Sequence, residues 1–379
     1  MFTFTGFIQL ALVKKVYDLS KSTAGLRHNW SWAALVMGNT GGHNTSMRIP
    51  PGNGPHQVGC TDLMVGHTIE GTFFRLYYPC HDSEVLERPD WIPTREYFNG
   101  LADFMKINRS ISERIFNYLF GACEIPAVWN ASFKSCGKCP VVIFSHGLGA
   151  FRTLYSAICC ELASQGFIVA AVEHRADECI KALDLLIEIN TGSPVENVLR
   201  TQFDWSTLED SMDLCKIAIM GHSFGGATVI EGLCKEVKFK CGIALDAWMS
   251  PIDEEIFPRV KQPIFFINSE KFQWAGNIAR IKKLDSAFFP RKMITIRGTV
   301  HQSFPDFTFL TGNWLGKLLK LKGELDPNVA MNLCNKASLA FLQRHLSLEG
   351  DFNQWDTLID GKDDNLIQGT NITVLQSSI

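Results

Sequence analysis

Seven short stretches of the chain are predominantly apolar and end abruptly, most of them in small or charged residues: GTFFRLYY, PVVIFSH, GFIVAAVEH, KIAIMGHS, CGIALDA, PIFFINS and KMITIRG. Runs of this length, rich in Val, Ile and Phe and lacking polar alternation, predict strands covered on both faces, as in a mostly parallel sheet. Between them the apolar positions recur with helical spacing at residues 152–165, 176–189, 225–236 and 335–346. Strand alternating with helix predicts an α/β fold, a doubly wound sheet in a single domain. Residues 1–54, which end in the Gly- and Pro-rich IPPGNG, are expected to form an arm, residues 55–360 the domain, and residues 361–379 a tail. No repeat, linker or low-complexity tract interrupts this order.

In such a sheet the functional groups gather where strands end, so the residues directly after each apolar run carry the chemical information. The run 217–220 breaks into GHSFGG and then resumes as a helix. That is a G-x-S-x-G elbow, in which the serine occupies a sharp strand-to-helix turn that lifts its hydroxyl clear of the sheet. Gly221 and Gly225 leave room for strand and helix to pass, and Gly226 is expected to ease the helix start. Ser223 is thus the candidate nucleophile, the alternative being a glycine turn with an idle serine. A serine hydroxyl needs a base to take its proton and a carboxylate to orient that base. His301, a short turn beyond KMITIRG, has the late position that this fold gives its histidine, whereas His222 is expected to point away from the elbow and His345 lies in a helix.

Two carboxylates compete for the third role. Asp246 ends CGIALD and Glu270 follows PIFFINS, and strand position alone leaves them equal. Burial favours Asp246, which stands between Leu245 and Ala247-Trp248, over Glu270 beside Lys271. An oxyanion needs amide donors, one from the residue after the nucleophile, Phe224, and one from a loop after an earlier strand; in FSHGLGAFR the choice falls on Leu148.

Composition narrows the class. With 379 residues, 46% hydrophobic, 20% charged and a net charge of −3, the chain has a globular composition and no cationic excess for nucleic acid. No apolar run approaches the roughly 20 residues of a membrane-spanning helix. The first residues, MFTFTGFIQLALVKK, make a poorly formed leader, and Phe2 rules out N-myristoylation. The 12 cysteines are too dispersed for a stapled small domain, and the single Cys136/Cys139 CxxC lacks the second half of a zinc site. No metal or other cofactor is expected. Five Asn-x-Ser/Thr sequons, at Asn29, Asn44, Asn108, Asn130 and Asn371, are compatible with secretion, with a cytoplasmic location as the alternative.

Taken together, SHGLGAFRTLYSA, GHSFGGATVI, GIALDAWM and GTVHQSF resemble the platelet-activating-factor acetylhydrolase family, the lipoprotein-associated phospholipases A2, over about residues 52–360. VGCTDLM, KLKGELDPNVA and NKASLAFLQRHL look closer to its secreted, plasma-type branch. The resemblance implies a calcium-independent serine esterase that removes a short or oxidised sn-2 acyl chain from phospholipids, with Ser223 as nucleophile, Asp246 as acid, His301 as base, and Leu148 and Phe224 as oxyanion donors. It thereby decides between Asp246 and Glu270. A monomer working at a lipoprotein or membrane surface is expected. The alternatives are a general carboxylesterase or lipase, and a non-catalytic lipoprotein-binding variant, because the family's long polar segment after VEHR is missing here: Arg175 runs directly into ADECIKALDLL.

Residues 107–121 set Ile107, Ile111, Ile115 and Leu119 on one helical face, with Phe116 beside them, and residues 314–323 set Trp314, Leu315, Leu318 and Leu319 against Lys317, Lys320 and Lys322. By pattern alone each packs on the sheet. The resemblance implies instead that Ile111, Ile115, Phe116, Leu119, Trp314, Leu315 and Leu318 meet lipid.

Overall fold

A computed structural model describes residues 48–372 apart from 69–70, 83–86, 105, 107, 136 and 174–177. All seven apolar runs form strands. They are β2 (Thr72–Cys80), β4 (Cys139–Ser145), β5 (Ile168–Val172), β6 (Met212–His222), β7 (Phe239–Leu245), β8 (Ile264–Ser269) and β9 (Arg291–Ile296). The pattern did not reveal β1 (Gln57–Val65), which carries Gly59, Thr61 and Asp62, nor the very short β3 (Val128–Trp129) and β10 (Leu366–Gln368). The ten strands lie in one sheet, in the order β10-β9-β8-β7-β6-β4-β5-β2-β1-β3.

Strands β4 to β9 are mutually parallel, whereas β2 runs antiparallel to both β1 and β5, and β10 antiparallel to β9. The continuous apolar run of β2 therefore reports burial on both faces, which all nine of its residues have, and not strand direction. Residues 361–379 are not a simple tail, since Leu366–Gln368 closes one sheet edge. The last residues assigned to the arm also belong to the body: Ile49 is buried, and the Asn53 amide and side chain both donate to Glu161.

Successive side chains along each strand enter opposite cores, as the period of two requires. Phe144, Met220 and Leu245 face one core, roofed by α3 (Ser156–Ser164) and α9 (Pro327–Leu346). Val141, Ile143, Ile217 and Ile219 face the other, covered by α4 (Glu178–Asn190), α5 (Phe224–Lys235) and α6 (Ala275–Lys282). Helix α9 starts eight residues before the apolar pattern suggests, because Asp326 caps it by accepting from the Asn328 and Val329 amides and Pro327 occupies its first turn. Two further helices, α1 (Arg95–Phe104) and α2 (Arg109–Phe120), precede β3, and α7 (Phe307–Leu310) and α8 (Asn313–Leu318) follow β9.

One buried group of charges joins the antiparallel and parallel halves of the sheet. Asp62 of β1 accepts two hydrogen bonds from Arg75 of β2, at 2.7 and 2.9 Å, and another from Arg152 at 2.6 Å. Arg152 also donates to Glu173, at 3.0 Å, and to the Tyr97 hydroxyl, and its guanidinium lies 4.0 Å from the Phe73 ring centre. Two carboxylates facing two guanidinium groups leave no net charge in the cluster, which is the condition for keeping ions out of water. Burial alone would raise the Glu173 carboxyl, but His146 and Arg152 outweigh it and hold it down at about 2. An unfolded glutamate titrates near 4.3. The stability from Glu173 is therefore present above about pH 4.3 and is lost as pH falls toward about 2. Glu173→Gln is expected to cost about 3 kcal/mol at pH 7 by leaving Arg152 underpaired, and to flatten the acid limb of the stability curve between pH 5 and 2; urea titrations at several pH values check both.

Candidate active site

Gly221 and Gly225 are required by backbone crowding. A Cβ built on Gly225 would stand 2.1 Å from the Ser145 carbonyl oxygen, and one on Gly221 would stand 2.3 Å from the Gly225 oxygen. Helix α5 thus leaves the sheet in backbone contact with the end of β4, and the chain makes the turn at Ser223 with φ 59° and ψ −115°. For a residue with a side chain this is a strained conformation, costing about 1–3 kcal/mol. Neighbouring backbone holds it there: the Ser223 amide donates to Leu245 O at 2.9 Å, and its carbonyl accepts from the Trp248 amide at 2.9 Å. Gly226 does more than ease the helix start, since a Cβ there would come within 2.8 Å of Ala247 Cα.

The three residues expected to cooperate do meet, at the carboxyl ends of β6, β7 and β9. Ser223 Oγ lies 3.0 Å from His301 Nε2, and His301 Nδ1 lies 3.0 Å from Asp246 Oδ2. Asp246 can only accept, so Nδ1 carries the hydrogen and Nε2 is left as the acceptor for the serine hydroxyl. The buried Asp246 carboxylate is completed by the Ser269 amide at 2.6 Å and the Ser269 hydroxyl at 2.5 Å. Neither donor was foreseen, because Ser269 ends a different strand, β8.

Glu270, the rejected acid, has a separate duty. It accepts from the Gly298 amide at 2.5 Å, its own amide donates to Thr299 Oγ1 at 3.2 Å, and the Gly298 hydrogen bond holds its carboxyl below the usual range. It braces the turn that delivers His301. From the other side, Asp306 accepts from the Ser156 and Ala157 amides at the start of α3 and from Trp91 Nε1, at 2.7, 3.0 and 3.0 Å. Burial pushes the Asp306 carboxyl up to about 7 against these donors. No local motif could announce this helix cap, which comes from 150 residues further along the chain.

Two rings enclose the imidazole. Phe272 stacks on His301 with ring centres 3.6 Å apart and an interplanar angle of 22°, and His222 lies behind it at 4.3 Å. The Nδ1 of His222 lies 2.8 Å from the Tyr155 hydroxyl. Burial, and next the nearby His301, hold His222 well below the ordinary histidine range, so the ring stays neutral. His222, Asp246 and His301 are also the one grouping among the described residues with the spacing of metal ligands, but the His301–Asp246 hydrogen bond already engages two of them.

The loop after β4 passes directly over the serine: a Cβ on Gly147 would lie 3.2 Å from Ser223 Cβ. Leu148 is next, its side chain 52% exposed, and Phe224 opens α5 at the positive end of the helix dipole. Gly149 has φ +75°, and the Phe104 ring fills the space a side chain there would need.

The residues expected to meet lipid differ in their exposure. Phe116 and Leu119 pack against the core, because α2 turns that face inward, and Tyr118 is the exposed residue, at 58%. Leu318 is half-buried and Trp314 is 60% exposed. The side chains of Ile111, Ile115 and Leu315 lie outside the described residues.

This sheet order, with a serine elbow after β6 and its partners at the ends of β7 and β9, defines an α/β-hydrolase fold. In agreement, a ferulic acid esterase from Streptomyces cinnamoneus superposes with a TM-score of 0.58 over 85% of this chain and 98% of that one, at 15% identity. The model of the family "Platelet-activating factor acetylhydrolase, isoform II" matches residues 41–177 and 174–366, and the chain belongs to that family. It is 52% identical to a platelet-activating factor acetylhydrolase of Gallus gallus, over 90% of this chain and 93% of that protein. It is 50% identical to one of Bos taurus, over 86% and 83%. The two stretches of the family match overlap at residues 174–177.

Phe272→Ala is expected to lower kcat/KM about tenfold by removing the aromatic face that steadies the imidazolium, a contact of about 1–2 kcal/mol. Steady-state kinetics beside Phe272→Leu, which keeps the bulk, would show the reverse if packing alone mattered: an active leucine variant.

Proposed function

We propose that this chain hydrolyses the sn-2 acetyl or other short acyl ester of a glycerophospholipid, its relatives being named as acetylhydrolases of platelet-activating factor, and that it does so through an acyl-serine intermediate. The observation that carries the mechanism is the Ser223 Oγ–His301–Asp246 hydrogen-bonded chain at the strand ends. His301 Nε2 takes the serine proton as Oγ attacks the acyl carbonyl, and Asp246 steadies the imidazolium that forms. The amides of Leu148 and Phe224 are assigned to the developing oxyanion. The imidazolium then protonates the glycerol oxygen, the lyso-phospholipid departs, and water activated by the same histidine releases the acid. Base, nucleophile and charge stabilisation all come from the chain, so calcium independence is part of the proposal. Hydrolysis of an acetyl-phospholipid with chelator present should continue in the wild type and fall at least 1,000-fold, on the order expected for a lost nucleophile, in Ser223→Ala. Loss on chelation, or an active alanine variant, would refute it. A fluorophosphonate probe should label only the wild type.

The substrate resides in lipid, and we place the contact surface at α2 and α8. Phe120 at the end of α2 meets Phe307 of α7, with ring centres 5.8 Å apart, and α7 leads directly into α8. The end of α2 is thus joined through α7 to α8, and Tyr118 on α2 and Trp314 and Lys317 on α8 are exposed. The proposal extends to a monomeric, secreted, lipoprotein-associated glycoprotein. Asn108 and Asn371 are exposed, whereas the half-buried Asn130 accepts a hydrogen bond from Thr61 and is committed to the fold. Trp314→Ala should weaken sedimentation with phosphatidylcholine vesicles about tenfold, roughly the value of one interfacial indole, while leaving turnover of a soluble ester unchanged. Secreted protein should lose mass on endoglycosidase treatment, and an unchanged mass would remove the glycoprotein part.

A further inference from the structure

The oxyanion assignment above requires that the Leu148 amide be aimed, and the structure contains a device suited to aiming it. Gly147 is gripped at both of its polar groups. Its amide donates to the Tyr155 hydroxyl at 3.2 Å, and its carbonyl accepts from His146 Nδ1 at 2.8 Å. A carbonyl oxygen only accepts, so His146 Nδ1 carries a hydrogen. Because the peptide joining Gly147 to Leu148 is trans, its C=O and N–H point in opposite directions. Holding the Gly147 oxygen toward His146 therefore turns the Leu148 N–H away from His146.

The Tyr155 hydroxyl is itself fixed. Since it accepts from Gly147, its own hydrogen is left to donate to His222 Nδ1, 2.8 Å away. His222 immediately precedes the serine and packs beneath His301, so its orientation is set by the same elbow that sets the nucleophile. The enclosure is tight: a Cβ on Gly147 would meet Ser223 Cβ and the Tyr155 oxygen at 3.2 Å and His222 Nδ1 at 3.5 Å. Tyr155 and His146 are both buried, and Glu173 faces the outer nitrogen of His146 at 3.7 Å, which connects the grip to the buried charge cluster.

We propose that Tyr155 and His146 are positioning residues that clamp Gly147 from opposite sides and so hold the Leu148 amide toward the tetrahedral oxygen, with His222 as the acceptor that locks the tyrosine hydroxyl. This rests on the acyl-serine reading and on Leu148 as donor. The clamp touches no substrate atom. Its effect is felt only when negative charge appears on the oxygen, so it belongs to kcat and not to substrate binding.

The test is Tyr155→Phe, which keeps the ring and removes the hydroxyl, beside the pair His146→Asn and His146→Leu and with Ser223→Ala in parallel, on an acetyl-phospholipid. Tyr155→Phe is expected to lower kcat about 10- to 100-fold with KM within about twofold, less than the full loss of an oxyanion donor. His146→Asn, whose amide nitrogen sits near the former Nδ1, should recover most of the kcat that His146→Leu loses. The clamp is overturned if Tyr155→Phe keeps kcat within twofold, if the loss appears in KM, or if the asparagine and leucine variants are equally impaired. Should His146→Leu not fold, the kcat and KM split of Tyr155→Phe still decides. An inactive Ser223→Ala with an unimpaired Tyr155→Phe rejects the clamp alone, whereas an active Ser223→Ala rejects the acyl-serine reading beneath it.

Discussion

The backbone contact between Ser145 and Gly225 is the constraint from which the site follows. At this separation no side-chain atom fits between the end of β4 and the first turn of α5, so the helix leaves the sheet at the tightest angle the chain allows. A tight exit forces the intervening residue into a left-handed conformation, and a left-handed residue at a strand end projects its side chain out of the sheet. The strain is offset by backbone hydrogen bonds from the turn after β7, which is also the turn that carries Asp246. The same contact brings the loop beyond Ser145 over the serine. Nucleophile, acid and the loop bearing Leu148 are thus placed by one packing event.

A second layer keeps that arrangement from relaxing. Each group facing the serine is held by residues that face away from it: Asp246 by Ser269, the His301 turn by Glu270 and Asp306, Gly147 by Tyr155 and His146. Many of these supports are buried, where an unmet donor or acceptor is expensive, so each tends to remain in its one satisfied geometry. The Asp62, Arg75, Arg152 and Glu173 cluster extends this to the strands beneath. Such a group need add little net stability, yet it penalises any shift that would separate its members.

Family membership and geometry bear on different questions. The match to the platelet-activating factor acetylhydrolase family falls in two stretches that overlap at residues 174–177, and the elements that carry Ser223, Asp246 and His301 all lie downstream of that point. The strand before that point, β5, lies beside β4 on the side away from the elbow strand β6. The hydrogen-bonded chain from serine to aspartate lies wholly within the second stretch.

Much of this was legible in the chain itself. Apolar runs revealed seven strands, and G-x-S-x-G located the elbow, because burial on two faces and backbone crowding are local demands that restrict residue type position by position. The histidine followed from its place after the last long strand, and burial inclined the choice toward Asp246. The antiparallel direction of β2 and the strands β1, β3 and β10 were not legible, since hydrophobicity records that a residue is covered but not by what. Nor were Ser269, Phe272, Tyr155 and Asp306 visible as parts of the site. Their partners lie between 8 and 215 residues away, and only the folded sheet decides which ends of a polar chain come within a hydrogen bond of each other.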